Sequence, residues 1–511
     1  MQSKIRVARF ISSLIKSIKL KIGRLKPLYH CHLCPPPSPW ANLNKLLLAA
    51  ALITLIVSSP HTSYAANFDF SALLAATHEK TLNNGLKIIV REDHRAPLIV
   101  FQVWYWVGGS DDTHHITGIS HVLEHMMFKG TQALGAGKFS EWVSELGGQE
   151  NAFTSRDHTV YYQAWTKKNL PLSIALEADR MSNLILPEDE FDKELKVVIE
   201  ERRLRTEDNP NAKLYERFSR TAFTSSPYGH PIIGWMHDLE GLSINDIKQW
   251  YQAWYPPNNA TVIVAGDVEA SAVFAQVTEA FGHKKAKQVP KRLRPREITP
   301  LGERRITVKA PAKLPTLLMG FNTPSMTTAE NPADSHALFV LSGILDGGYS
   351  ARLSTNLIRR DEVAAGVGAG YSPISRGDTL FLFSATPSKD ISVDTLESAI
   401  WAEIKALQEK PPSQSELDRV RAQMIANLVY GQDSLSGQAN SIGRWESAGL
   451  SWRDFPKLIE DLNTLTPEAV QAAAQKYLVK DRVTIGILDP QPISTANKST
   501  QAQRPAIPTR H

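Results

Sequence analysis

The sequence predicts an α+β fold of two homologous domains joined by a linker, each a sheet with helices packed on it. The chain of 511 residues is too long for one compact core. Strand-like and helix-like segments recur in the same order at a separation of about 220 residues. A basic, proline-containing stretch at residues 282–300 lies between the copies. We therefore expect domains at residues 70–281 and 301–490.

The repeat is clearest in two pairs of segments. LSINDIKQWYQAWYPPNNATVIVAG, from Leu242, and LTPEAVQAAAQKYLVKDRVTIGIL, from Leu465, both predict a Ser or Thr cap, an amphipathic helix, a polar turn and an apolar strand. LKIIVREDHRAPLIVFQVWY, from Leu86, and RRITVKAPAKLPTLLMGFNT, from Arg304, both predict paired strands that open a domain. The repeat indicates a duplicated domain.

The remaining segments are a leader at residues 1–65 and a polar tail at residues 491–511. We expect the tail to be disordered. The leader contains nine basic and no acidic residues, and Leu46–Val57 has the length of a signal-peptide core. Small residues predict cleavage after Ala65 and hence an exported, periplasmic protein. Because the segment before the core is unusually long, two alternatives stay open: a true start near Asn42, or a leader retained as an inner-membrane anchor.

The composition narrows the class of protein. With 42% hydrophobic and 21% charged residues, the chain has the composition of an ordinary globular protein. Beyond the leader, 48 basic and 52 acidic residues remain, so nucleic acid is not an expected partner. Cys31 and Cys34 form a C-x-x-C pair in the leader that could bind metal or do redox chemistry. We interpret them as incidental, and a mature chain without cysteine excludes thiol catalysis.

The stretch ISHVLEHMMFKGT places His121, Glu124 and His125 on one turn of an otherwise apolar helix. Histidines four residues apart on a helix face the same way and suit two ligands of one zinc ion. A glutamate on that face could accept a proton from a water at the metal, as in the inverted H-x-x-E-H zinc motif. The alternative is a pair of helix histidines hydrogen-bonded to nearby carboxylates.

The second copy offers an internal comparison for this motif. The repeat aligns the three positions with Phe339, Ser342 and Gly343, in a similar apolar pattern that lacks ionisable groups. The fold therefore does not require ionisable residues there, and we expect a metal site in the first domain alone.

A third ligand is expected from the helix PEDEFDKELKVVIEERRLRTEDNP. At about 100° per residue, Glu194 and Glu201 lie about 20° apart on the flank of its apolar face. Glu200 and Glu207 fall on the opposite, solvated side. We therefore predict Glu201 as the third ligand and Glu194 as a carboxylate that orients a histidine or the water.

Taken together, the motifs resemble the pitrilysin/insulysin family of zinc metallopeptidases, in particular its bacterial, mitochondrial-processing-peptidase-like branch. GISHVLEHMMFKGT, LGGQENAFTSRDHTVYY, VVIEERRLRTEDNP, SSPYGHPIIG and YPPNNATVIVAGD are similar to that family's blocks and stand in its order. The resemblance implies one Zn²⁺ per chain bound by His121, His125 and Glu201. It also implies that Glu124 is the general base and Glu194 the supporting acid.

The resemblance further implies a zinc-dependent endopeptidase that hydrolyses peptides or unfolded polypeptides. It also implies that the two domains form a clam that closes around the peptide. ENAFT, at Glu150–Thr154, is similar to the family's edge strand, to which a substrate adds as an extra strand. Asn151 and Ala152 are the expected substrate contacts. The alternative is an ordinary amphipathic strand.

One stretch departs from the family pattern. Active single-chain relatives bring an Arg and, seven residues later, a Tyr from the second domain to the substrate carbonyl. In LIRRDEVAAGVGAGY, Arg360 is present, but Val367 stands seven residues later and Tyr371 is four residues further on. Oxyanion donors of this kind usually lower the barrier by a few kcal/mol, so their loss matters.

This departure leaves other functions open. The chain could be the zinc-bearing half of a peptidase that a paralogous subunit completes, or it could form a homodimer. It could also be a non-catalytic peptide-binding or assembly subunit. A zinc amidase acting on cell-wall peptides would need a narrower pocket than strand-like recognition implies.

Overall fold

The computed structural model describes residues 74–292 and 296–493, and all of them belong to one compact unit. We refer to residues 74–292 as the first half and to residues 296–493 as the second half. The predictions for the leader, its cysteines and nearly all of the tail fall on residues outside these ranges. Within the ranges, no helix is both long and apolar enough to cross a membrane.

The first half contains a six-stranded sheet in the order β1-β2-β6-β3-β5-β4. Its strands are β1 (Thr77–Thr81), β2 (Lys87–Glu92), β3 (Leu98–Tyr105), β4 (Gln149–Thr154), β5 (Thr159–Thr166) and β6 (Ala260–Gly266). Neighbouring strands are antiparallel except for β2 and β6, which are parallel. The segment predicted as an edge strand is β4, at one edge of this sheet.

The second half contains a five-stranded sheet in the order β7-β11-β8-β10-β9. Its strands are β7 (Arg304–Pro311), β8 (Thr316–Thr323), β9 (Ala364–Gly370), β10 (Thr379–Pro387) and β11 (Val483–Gln491). Here too one pair, β7 and β11, is parallel and the others are antiparallel. The order matches β2-β6-β3-β5-β4, so the strand topology repeats as the sequence predicted, and β9 is the counterpart of β4.

Eight α-helices lie in the first half. They are α1 (Ile119–Met126), α2 (Lys138–Glu145), α3 (Leu170–Asn183), α4 (Glu188–Arg202), α5 (Pro210–Ala222), α6 (Met236–Gly241), α7 (Ile244–Trp254) and α8 (Ala270–Phe281). Short 3₁₀ turns occupy Lys167–Asn169, Pro227–Gly229 and Pro257–Asn259, and a π-helical turn at Arg203–Glu207 continues α4. Ser243 caps α7 in a capping box with Asp246, as the sequence predicted.

The second half follows the same plan. Its helices are α9 (Pro332–Asp346), α10 (Val393–Glu409), α11 (Gln414–Tyr430), α12 (Leu435–Ala448), α13 (Phe455–Thr464) and α14 (Pro467–Tyr477), with a π-helical segment at Ser354–Arg360 and 3₁₀ turns at Trp452–Asp454 and Lys480–Arg482. Helix α9 contacts edge strand β9 as α1 contacts β4. On α9, the Ser342 hydroxyl donates to the carbonyl oxygen of Phe339. The fold is therefore α+β with two sheets, while the predicted domain bounds stay predictions.

Both faces of the first sheet are covered, which explains why β3 is almost wholly apolar. Successive residues of β3 face opposite sides: Phe101 and Val103 pack in the core with the first-half helices. Val100 and Trp104 pack against Ala439 and Ile442 of α12. A partly buried hydrogen bond crosses the same contact, because the Gln102 side chain donates to the Asn440 side chain at 3.0 Å. Helix α12 thus comes from the second half to cover the first sheet.

A helix of the first half likewise covers the second sheet. Leu214 and Phe218 of α5, in the first half, pack against Leu318 and other residues of the second sheet. Gly320 of β8 makes room for the Phe218 ring, since a Cβ there would lie 2.6 Å from it. Each half therefore supplies one helix to the other half's sheet, and the two halves share apolar cores.

We predict that Gly443→Ala destabilises this arrangement. A Cβ at Gly443 on α12 would lie 2.1 Å from the Trp104 ring, so the helix must shift away from the first sheet. Overpacking of this kind costs about 2 kcal/mol of unfolding free energy. Denaturant unfolding measures the loss. Gly241→Ala is the control, because a Cβ at Gly241 meets nothing within 4 Å; equal stability of the two variants would contradict the prediction.

Candidate functional site

The loop before α1 fixes where this helix begins. Asp112 accepts hydrogen bonds from the Gly118 amide at 2.8 Å and from the Ser120 hydroxyl at 2.7 Å. Gly118 has a φ of 88°, and a Cβ there would lie 2.6 Å from the carbonyl oxygen of Ile233, so both backbone conformation and space require glycine. Burial raises the pKa of Asp112 to about 7. The start of α1 is therefore determined by tertiary contacts.

Helices α1 and α4 bring three candidate ligands together. Oε2 of Glu201 lies 3.8 Å from Nε2 of His121 and 3.5 Å from Nε2 of His125. One ligand atom from each residue lies within 4.8 Å of the other two. In the part of the chain that the structure describes, no other group of three or more His, Cys, Asp and Glu residues could hold a metal ion. The helical-face argument thus chose the carboxylate that meets both histidines.

The electrostatics of the cluster favour a cation between its members. Burial lowers the pKa of His121 to about 3. Burial also opposes protonation of His125, but hydrogen bonds to the Glu194 and Glu201 carboxylates outweigh it and raise the pKa of His125 to about 9. Burial alone would raise the pKa of Glu201, yet the His125 hydrogen bond and the nearby positive charge lower it to about 2. Because metal ligands must be deprotonated, an ion bound here displaces the His125 proton.

Glu124 lies on the same turn of α1 and is 8% exposed. Its Oε2 accepts a hydrogen bond of 2.6 Å from the hydroxyl of Thr154, the last residue of β4. Burial raises the pKa of Glu124, and the Thr154 hydrogen bond opposes that effect. The carboxylate is therefore tied to the edge strand. The sequence did not single out Thr154, because it is 30 residues away from Glu124 along the chain.

Glu194 lies beside His125, with its Oε2 3.3 Å from His125 Nδ1. Its other oxygen forms an ion pair with Lys129. Burial raises the pKa of Glu194, but the contacts with His125 and Lys129 outweigh it and lower the pKa. Glu194 can therefore hold the His125 ring in the orientation that turns Nε2 toward Glu201.

Arg205 forms an ion pair with Glu201, as Lys129 does with Glu194. Its guanidinium lies 2.6 Å from Glu201 Oε1, which leaves Oε2 toward the two histidines. Lys129 and Arg205 thus each contact the outer oxygen of one carboxylate. Neither was predicted: Lys129 lies beyond the end of α1, and Arg205 lies in the π-helical turn after α4.

The two glutamates predicted to be solvated lie outside the cluster. Glu200 pairs with Arg203 on the surface, and its side chain is 43% exposed. Glu207 pairs with the buried Arg202. The helical arrangement of α4 and the turn after it therefore places Glu194 and Glu201 at the cluster. Glu200 and Glu207 lie on the other, solvated side.

The cluster opens into a cavity of about 890 Å³. Residues 151–154 of β4 line one side of it. Val197, Leu204 and Tyr215 line it from α4, the π-helical turn and α5, and each is between 41% and 43% exposed, which is unusual for large apolar side chains. The remaining lining residues are His121, Glu124, His125, Arg156, Glu194, Glu201, Arg205, Thr206, Ala212, Glu216, Ser219 and Gly229–Ile233. The cavity therefore joins the cluster, an edge strand and an apolar wall.

Asn151 and Ala152 both line this cavity from β4. Strand β4 pairs with β5 on one side, and no described strand pairs with its other side. The Ala152 amide donates to Oδ1 of Asn151 at 2.8 Å. An extended chain placed along this edge would find backbone groups beside the cluster.

The second-half residues discussed for the Arg–Tyr pair lie in different environments. Arg360 is exposed and donates to Asp361 and Asn356. Val367 lies on edge strand β9. Tyr371 is buried in the second core, and its hydroxyl donates to the carbonyl oxygen of Pro324 at 2.6 Å. Tyr371 therefore cannot take the place of a tyrosine at position 367 without leaving the core.

Comparison with known proteins gives the following matches. The family model described as Insulinase (Peptidase family M16) matches residues 87–235, and the one described as Peptidase M16 inactive domain matches residues 241–424. The zinc protease PqqE of Helicobacter pylori is 34% identical over 406 residues, which cover 78% of this chain and 88% of that protein.

Solved structures give the same picture. The crystal structure of a protease from Helicobacter pylori matches with a TM-score of 0.76 and 30% identity, covering 81% of this chain and 99% of that one. The periplasmic protease PqqL from Escherichia coli matches with a TM-score of 0.69 and 18% identity, covering 84% of this chain and 50% of that one. The second likeness shows the fold alone.

We predict that Arg205→Met lowers the affinity of the cluster for Zn²⁺ about tenfold, because the outer oxygen of Glu201 loses its partner. Competition with a chromophoric chelator measures the dissociation constant. Arg203→Met is the matched control, since Arg203 stands two residues away and pairs with Glu200 instead. Equal affinities for the two variants would contradict a role for Arg205.

Proposed function

The chain belongs to peptidase family M16, and from this premise we propose that it is a zinc-dependent endopeptidase acting on peptides or unfolded polypeptides. The observation that carries the proposal is the meeting of two imidazole nitrogens and a carboxylate oxygen within 4.8 Å, on the wall of a cavity that an edge strand borders.

The donor set fits a catalytic zinc ion. Nε2 of His121, Nε2 of His125 and Oε2 of Glu201 would hold it, and two histidines with one glutamate are a known ligand set of catalytic zinc. Three protein ligands leave one position for water or substrate. When bound, zinc acidifies a water molecule and polarises the scissile carbonyl.

Glu124 is the proposed general base. Its carboxylate takes a proton from the attacking water and returns it to the leaving amine. The Thr154 hydrogen bond to Oε2 orients the carboxylate for this transfer. Glu194 is proposed to orient His125 through Nδ1.

Substrate recognition is proposed to use the backbone of β4. An extended peptide adds to the free side of this edge strand, with Asn151 and Ala152 in contact with it. The Ala152 amide then exchanges its Asn151 side-chain acceptor for a substrate carbonyl. Since backbone groups are common to all peptides, such recognition favours extended, unfolded chains and has broad sequence tolerance.

We propose that the protein works outside the cytoplasm, in the periplasm. The basis is the leader sequence, with its basic stretch and apolar run.

A second candidate function is the zinc-bearing half of a two-chain peptidase. The observation that favours it is the burial of Tyr371, whose hydroxyl donates a hydrogen bond to the carbonyl oxygen of Pro324. In that case a second polypeptide, a paralogue or another copy, supplies the donor to the substrate carbonyl.

We predict that Glu124→Gln abolishes cleavage of a quenched fluorescent, unstructured peptide by residues 66–511 while zinc stays bound. Loss of the proton acceptor lowers kcat about 10³-fold. Glu200→Gln, the same change on the solvated side of α4, is the control and keeps full activity. Cleavage by Glu124→Gln at the wild-type rate would refute the role of Glu124. A zinc-loaded wild-type protein without activity would favour the half-enzyme.

We also predict that backbone N-methylation of the peptide distinguishes its two edges. Methyl groups on the amides that face β4 lower kcat/KM about thirtyfold, because two hydrogen bonds of about 1 kcal/mol each are lost. The same number of methyl groups on the alternate amides, which face away, has little effect. The two peptides therefore control for each other, and equal cleavage of both would exclude strand addition.

A further inference from the structure

A buried group of charges lies where the two halves meet, apart from the metal cluster. It consists of Asp111 and Asp157 from the first half, Arg376 from the loop between β9 and β10, and Arg292. The Arg376 side chain is 8% exposed, and those of Asp111 and Asp157 are 4% and 10% exposed. The zinc chemistry proposed above uses none of these groups.

Arg376 contacts both acids. Its Nη2 lies 3.0 Å from Asp111 Oδ1, and its Nε lies 3.3 Å from Asp157 Oδ1. The Arg376 backbone amide donates to Asp157 Oδ2 at 3.2 Å. The same guanidinium also donates to the Ser110 hydroxyl. One residue of the second half thus binds two separate segments of the first.

Tyr228 strengthens this link. Its buried hydroxyl donates to Asp157 Oδ2, accepts from the Gly377 amide at 3.1 Å and lies 3.0 Å from the Ser375 hydroxyl. Both neighbours of Arg376 in the chain are therefore held by the same first-half side chain. Tyr228 directly precedes residues 229–233, which line the cavity.

Each of the two acids lies in a segment that adjoins an element of the candidate site: Asp111 in the loop before α1, and Asp157 in the turn after β4. Asp111 is followed by Asp112, which holds the start of α1. Asp157 lies in the turn after β4, three residues beyond Thr154, which holds Glu124. The two segments are also joined by backbone hydrogen bonds, from the Ser110 amide to Arg156 at 2.8 Å and from the Gly109 amide to Ser155 at 2.9 Å.

We propose that Arg376 is a positioning residue through which the second half, which has no metal cluster, holds the metal helix α1 and the substrate strand β4 in their working arrangement. The inference rests on the proposed function for its kinetic readout alone. Removing the guanidinium leaves two buried carboxylates with Arg292 as their remaining cation, a situation that buried charges tolerate poorly. The 108–112 loop and the 155–157 turn then keep only their direct hydrogen bonds to each other, and α1 and β4 are held less firmly.

The experiment compares Arg376→Met with Lys87→Met. Lys87 forms another ion pair between the halves, 2.7 Å from Glu446 of α12, and neither of those residues lines the cavity. Both variants therefore remove an ion pair between the halves, whereas Arg376→Met alone removes contacts with the loop before α1 and the turn after β4. Arg376→Lys, which keeps the charge, tests for rescue.

Amide hydrogen exchange and peptide cleavage are measured at a temperature at which every variant is folded. We expect Arg376→Met to speed exchange at least tenfold in residues 149–154 and at the start of α1, and to lower kcat about tenfold. We expect Lys87→Met to change neither and Arg376→Lys to recover part of both. Exchange in Arg376→Met that is faster only to the extent seen in Lys87→Met would overturn the proposal.

The exchange measurement decides the proposal even if the wild-type protein does not cleave peptides, so failure of the proposed function is recognised separately. If Arg376→Met does not fold, Tyr228→Phe replaces it, because this change deletes only the hydroxyl that joins Ser375 and Gly377 to Asp157. Unchanged exchange in α1 and β4 of a folded Tyr228→Phe protein would then overturn the proposal.

Discussion

The close approach of two imidazoles and a carboxylate is the constraint on which the rest of the site depends. His121 and His125 come from α1 and Glu201 from α4, two helices that contact each other. Their ligand atoms lie within 4.8 Å of one another. Partly buried groups of this kind are costly unless a proton or a cation joins them. Burial lowers the pKa of His121, whereas contacts with carboxylates raise the pKa of His125. A zinc ion bound to all three groups would replace the His125 proton as the cation that joins them.

The surrounding structure serves to hold that cluster in a defined geometry. Lys129 and Arg205 neutralise the outer oxygens of the two carboxylates, and Thr154 ties the base to the edge strand. The proposed metal ligands, base and substrate strand are thereby joined through direct contacts. The second half contributes in two ways. Helix α12 covers the first sheet. Arg376 forms ion pairs with Asp111 and Asp157, which lie in the segments next to α1 and β4.

The sequence predicted what short-range periodicity determines. The helical spacing of the histidines, the flank position of Glu201 and the repeated strand order all follow from local patterns, and the structure agrees with each. It did not predict Thr154 or Arg376, because their contacts join segments 30 to 266 residues apart. The reciprocal packing of α5 and α12 was missed for the same reason. An apolar helical face indicates burial, but it does not say which sheet covers it.

Zinc-edge anomalous diffraction from crystals of the zinc-loaded protein tests the central claim most directly. The account predicts one strong anomalous peak per chain, within about 2.3 Å of Nε2 of His121, Nε2 of His125 and an oxygen of Glu201, with a remaining position for water. Zinc bound at another place, or no peak between α1 and α4 at saturating zinc, would contradict the account.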